Sequence, residues 1–125
     1  MAYPNVRAEA AKIEHIIRNR TKDKYVIIGG FVVVAEMEKI PDKKLFRAVE
    51  RRYKKIIAGA VEPTAEIEIR ANKLIAAGLG DMDAAHLASA EAVGADYLLT
   101  TDKDFINKCS KPNFTAVNVI NPLDF

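Results

Sequence analysis

The chain has 125 residues, half of them hydrophobic and 29% charged, which suits one domain over residues 1–125 built round one core. No apolar run approaches the ~20 residues that a membrane helix needs, no basic start followed by an apolar run marks a secretory signal, and no stretch has the composition of a disordered segment. A net charge of +2 is too small to argue for a nucleic-acid partner by itself, and a single cysteine, Cys109, cannot close an internal disulfide, which fits a reducing cytoplasm.

Val6, Ala10, Ile13 and Ile17 recur at helical spacing, so residues 5 to 20 read as an amphipathic helix with Asn5 as its N-cap. Tyr25-Val26-Ile27-Ile28 is short and β-branched and reads as a buried strand ended by Gly29-Gly30. Phe31 to Lys39 has strand propensity in Val32-Val33-Val34, but Ala35, Glu36, Met37, Glu38 and Lys39 favour a helix opening after the glycines. Pro41 stops it and Asp42 can cap the next helix, marked by Leu45, Val49, Tyr53 and Ile56. Gly59 ends that helix, and Val61-Glu62 reads as a short strand. Thr64 caps a helix with Ile67, Ala71, Leu74 and Ile75 on one face, and Gly78 stands where a C-terminal cap glycine belongs. Asp81 opens an alanine-rich helix closed by Gly94. Tyr97 to Thr100 is a strand, Thr101 or Asp102 begins a short helix through Phe105 and Ile106, and Ala116 to Ile120 is a last strand halted by Pro122. Strands alternating with helices imply an α/β fold with a parallel sheet.

The cations are unevenly spread. Lys43, Lys44, Arg47, Arg51, Arg52, Lys54 and Lys55 crowd one helix, which is either a solvated face or a surface for phosphates.

In open parallel sheets, ligands bind beyond the carboxyl ends of the strands. Asp102 falls two residues past the strand Tyr97–Thr100, Asp83 lies in the first turn of the helix after Gly80, and Glu36 follows the strand Tyr25–Ile28. Three carboxylates from separate segments can meet at one sheet edge, and an oxygen-only ligand set suits Mg²⁺ or Mn²⁺ better than zinc. Each acid also has a plain structural role. Asp81 fits an N-cap, Asp83 a partner for the helix dipole, Asp102 a cap for the helix before Phe105, and Glu36 an exposed helix position. His86 lies among alanines near the core edge and His15 on the charged side of the first helix. Neither has the further His or Cys partners of a zinc site. Cys109 has no base nearby in sequence to activate it as a nucleophile.

The run Asp81-Met82-Asp83-Ala84-Ala85-His86-Leu87-Ala88-Ser89-Ala90, followed by Gly94-Ala95-Asp96-Tyr97-Leu98-Leu99-Thr100-Thr101-Asp102-Lys103-Asp104-Phe105, resembles the C-terminal half of a PIN domain. The shared features are an Asp-Ala helix start, an alanine-rich body, a Gly-Ala-Asp lead into a strand and then Thr-x-Asp-x-x-Phe. Val119 to Phe125 is similar to the family's closing strand, and Ala35 to Asp42 to its acid-bearing helix. The resemblance implies a parallel sheet flanked by helices, and Glu36, Asp83 and Asp102 as catalytic metal-site acids. It adds Asp104 as a further acid and Thr100 as a pocket residue. The implied activity is hydrolysis of RNA phosphodiester bonds with Mg²⁺ or Mn²⁺, in a family with many toxins held by a small antitoxin protein and many homodimers. The chain departs from the pattern at its front. A PIN domain opens with a strand and a ligating Asp, whereas Met1-Ala2-Tyr3-Pro4-Asn5 leads directly into a helix and nothing before Tyr25 reads as a strand. The expectation is an N-terminally truncated sheet, rearranged or completed by another chain, with impaired activity or binding of RNA or a protein without cleavage.

Overall fold

The computed structural model describes residues 4–23, 25–30 and 37–125, with side chains from Arg7 onward in the first helix. Its elements in chain order are α1 (Pro4–Asn19), β1 (Ile28–Gly30), α2 (Lys43–Ile56), β2 (Gly59–Val61), α3 (Ala65–Ala76), α4 (Asp81–Ala92), β3 (Tyr97–Leu99), α5 (Lys103–Cys109), β4 (Asn118–Ile120) and a closing 3₁₀ turn, Pro122–Asp124. The chain is α/β, as its pattern of alternation implies.

Short polar side chains start most of the helices. Asp42 accepts from the backbone N–H groups of Lys44 and Leu45 at the head of α2, and the Thr64 hydroxyl accepts from Ile67 at the head of α3. Gly78 and Gly94 follow α3 and α4 with φ of +114° and +65°, a region costly for a residue with a Cβ, and so they end these helices. At α1 the expectation shifts by one residue. The helix begins at Pro4, whose missing N–H costs nothing in a first turn, so Asn5 is inside the helix and not its cap.

The first strand also moves. It covers Ile28–Gly30 and takes in both glycines expected to end it, while the Ala58 N–H donates to the Ile27 carbonyl one residue upstream. The reason is Tyr53. Its hydroxyl accepts from the Gly30 N–H at 2.9 Å and lies against Gly29, where a Cβ would stand 1.9 Å from that oxygen. A residue with a side chain at 29 would displace the phenol, so glycine serves here for close approach rather than for a turn.

All the strand pairing is parallel, but the strands form two separate pairs among the described residues. β1 pairs with β2, setting Gly29 against Ala60, and β3 pairs with β4, setting Leu98 against Val119. The core lies mostly beneath the second pair. α3 packs on α4, with Leu74, Leu79, Ala84, Leu87 and Ala88 almost wholly enclosed, and Phe105, Cys109, Val117 and Val119 close the cluster. The alanines of α4 let the backbones approach closely, and Ala84 and the run Leu87, Ala88, Ser89 and Ala90 are buried. By contrast α2 has no buried residue. At the far edge the Phe125 ring meets Tyr25 at 5.4 Å and Tyr97 at 5.0 Å, both edge-on, and Asn121 donates to Glu9 of α1. Among the described residues no helix is long and apolar enough to cross a membrane.

Candidate functional site

The carboxyl end of β3 is built as a rigid turn. The Thr100 N–H still donates to Ile120 at 2.9 Å, carrying the pairing one residue beyond the strand. The Thr100 hydroxyl then accepts from the Asp102 N–H at 3.2 Å. One oxygen of Asp102 accepts from the N–H groups of Asp104 at 3.0 Å and Phe105 at 3.2 Å, so Asp102 caps α5. Phe105 is buried and anchors the turn to the core. The structural role open to Asp102 is therefore real, and it engages only one of two carboxylate oxygens.

The second acid comes from α4. Its N-cap is Gly80, without a side-chain cap, so Asp81 is an exposed first-turn residue and not the cap its position suggested. Asp83 is half-buried one residue before the fully enclosed Ala84, which fixes where its side chain emerges. Burial pushes its carboxyl above the ordinary value of 3.8. The negative charge of Asp102 pushes the same way, His86 and Lys108 oppose it, and Asp104 adds a smaller push. The structure thus brings Asp83 and Asp102 near enough for their charges to repel each other. Asp104 pairs with Lys108 at 3.0 Å, and the same ammonium donates to the Gly78 carbonyl at 3.1 Å, tying α5 to the turn before α4.

Glu36, the third acid expected here, lies outside the described residues, as does the helix expected from Phe31 up to it. Met37, just after, is buried. Among the described residues, no group of three His, Cys, Asp or Glu side chains is placed to hold a metal ion. Asp83 and Asp102 therefore stand as a pair. Two carboxylates, one just past β3 and one in the first turn of α4, offer hard oxygen donors, a chemistry that suits a divalent cation. Cys109 is buried, and its thiol is pushed up to about 11 by burial first, then by Asp83 and Glu91, so it stays protonated at neutral pH. His15 is exposed and shares a 3.3 Å contact with Asn19.

Another polar cluster gave little signal in the sequence. Arg70 of α3 grips Glu91 of α4 with two hydrogen bonds, at 2.6 and 3.0 Å, and donates to the Phe114 carbonyl at 3.1 Å, while Thr115 donates to Glu91 at 2.7 Å. The partners lie 21 and 24 residues apart, beyond any local spacing rule. A cleft lined by Arg70, Glu91, Asp96, Phe114 and Asn118 opens beside this clamp, at the amino ends of β3 and β4. Arg70 and Glu91 already satisfy each other, and the cleft lies at the opposite ends of the strands from Asp102, so it is a structural clamp with a hollow beside it.

In comparisons with known proteins, the family model of the PIN domain matches residues 4–111. Neither the curated proteins nor the solved structures give a match.

Proposed function

The chain belongs to the PIN-domain family, and from that premise we propose that it is an endoribonuclease hydrolysing RNA phosphodiester bonds with Mg²⁺ or Mn²⁺. The observation that carries the reading is the nearness of Asp83 to Asp102 at the carboxyl end of β3, where the Asp102 charge adds to burial in raising the Asp83 carboxyl. Asp83 and Asp102 would hold the cation, with Glu36 as the third acid and Asp104 as a further one. When bound, the cation supplies an activated water and offsets charge gathering on the phosphate. The protein's own part is positional. The Thr100 hydroxyl holds the turn that aims Asp102, the Phe105 anchor keeps that turn from swinging, and Ala84 fixes the exit of Asp83. In the cytoplasm such a protein would act as a toxin restrained by a small antitoxin partner, as a homodimer.

The test is cleavage of labelled RNA with Mn²⁺, compared with EDTA. Asp83→Asn and Asp102→Asn are expected to lower cleavage at least about a hundredfold, the scale of losing a charge-stabilising group, while the circular dichroism spectrum is kept. Variants that cut as well as the parent would overturn the assignment. A second reading is a PIN-like protein that binds RNA or a protein without cutting. What favours it is that Asp102 already caps α5 and Asp104 already pairs with Lys108. It predicts RNA retention with no Mn²⁺-dependent products.

A further inference from the structure

We propose that the exposed face of α2 is the RNA-docking surface of this protein, gripping backbone phosphates along one basic ridge. The inference rests on the ribonuclease reading for the identity of the polyanion, and on α2 itself for the place.

At the helical repeat of about 100° per residue, Lys43, Lys44, Arg47, Arg51, Lys54 and Lys55 fall within an arc of roughly 120°. All six are exposed. Among the described residues only Lys54 of these six has an ion-pair partner, Glu50 at 3.7 Å on the same helix. The seventh cation, Arg52, lies off the ridge and is paired with Glu14 of α1. The ridge therefore presents its charge to solvent with almost no neutralisation from the described residues. The helix rises about 1.5 Å per residue, so the cations from 43 to 55 stretch over roughly 18 Å, long enough to follow several phosphates.

The opposite side of α2 is apolar, with Phe46, Val49, Tyr53 and Ile56 turned partly inward. Tyr53 is fastened there by the hydrogen bond from Gly30. This arrangement decides between two classes of polyanion. A basic amphipathic helix lies on a membrane by sinking its apolar face among the acyl chains. Here Phe46, Val49, Tyr53 and Ile56 on that face are half-buried, which leaves Leu45, 53% exposed, as its one exposed large hydrophobic, whereas all six ridge cations stand in solvent. A flexible, strongly charged strand that needs no apolar contact is the better fit. The connection from β1 through α2 to the parallel β2 also places the Lys43 end of the ridge on the carboxyl edge of that pair.

Binding can be read by fluorescence anisotropy of a labelled single-stranded RNA 20-mer of mixed sequence, in EDTA so that no cleavage occurs. The full chain is compared with the triple variant Arg47→Gln, Arg51→Gln, Lys55→Gln. A matched control carries Lys22→Gln, Lys73→Gln, Lys111→Gln, all exposed and none of them on α2. The ridge variant is expected to bind about tenfold or more weakly, with the slope of log affinity against log salt shallower by roughly two, at about 0.7 per lost phosphate contact. The control should stay within about twofold of the parent, and Arg47→Lys, Arg51→Lys, Lys55→Arg should restore binding. Equal weakening by the control, no RNA binding by the parent, or binding to phosphatidylserine vesicles in preference to RNA would each overturn the proposal. Mn²⁺-dependent cleavage is scored separately on the same proteins. RNA held by the ridge without cleavage upholds this surface and refutes the ribonuclease reading. Cleavage unaltered by the ridge variant does the reverse.

Discussion

Arg70 joins α3 to α4 and to the loop before β4 through three hydrogen bonds. Burial raises the Glu91 carboxyl, yet the hydrogen bonds from Arg70 and Thr115, with the Arg70 charge, outweigh it and hold that carboxyl below 4.5. The clamp therefore stabilises the fold above that pH and fades as pH falls below it. Arg70→Ala should cost about 1–2 kcal/mol in urea unfolding at pH 7, the scale of charge-assisted bonds discounted for partial exposure. Asp83 runs the other way. Its folded pKa is raised, so below 3.8 it is protonated in both states and costs nothing. As pH rises past that value the unfolded chain ionises first, and the fold loses stability until its own raised pKa is passed. In EDTA, Asp83→Asn should therefore melt at a higher temperature than the parent at pH 7 and at nearly the same temperature at pH 3. A variant that melts lower at pH 7 would contradict the strain assigned to this acid. At this scale the helix caps Asp42, Thr64 and Asp102 were legible, because a cap is decided within three residues. The clamp was not, because nothing local ties Arg70 to Glu91.

Among the elements, α3 and α4 lie close to where the sequence set them, since each has a start signal and a closing glycine, Gly78 or Gly94, while α5 runs on to Cys109, past the expected Ile106. The strands were placed less well. Each is only three residues long, and three residues have no room for a pattern. β1 shows the consequence, as Gly29 and Gly30 read as a turn until Tyr53, more than twenty residues on, comes to lie on them. Gly29→Ala should cost about 1–3 kcal/mol, the usual penalty of overpacking, with loss of the Tyr53 bond to Gly30. Combining it with Tyr53→Leu should recover more stability than combining it with Tyr53→Phe, which leaves a ring carbon 2.5 Å from the new methyl. Urea midpoints of the four proteins check this.

At the scale of the whole molecule, the parallel pairing was legible from the alternation of strands and helices, but the division into two pairs was not, since sequence does not record which strand lies beside which. The division makes stability uneven. The buried side chains gather on α3, α4 and α5 and beside β4 at Val117 and Val119, whereas α2 has nothing buried and Ile28 on β1 is 42% exposed. Native-state hydrogen exchange should therefore release the amides of β1, β2 and α2 well before those of α4, by opening reactions that do not unfold the core. Exchange of all these amides at one common rate would contradict it.

The meeting of Tyr25 and Tyr97 on the Phe125 ring also gives the chain a built-in optical gauge. With no tryptophan and four tyrosines, its near-ultraviolet dichroism is a tyrosine signal, and two of those chromophores share one asymmetric neighbour. Loss of that band on Phe125→Ala, with far-ultraviolet helicity retained, would let an unlabelled sample report whether its two halves are seated together.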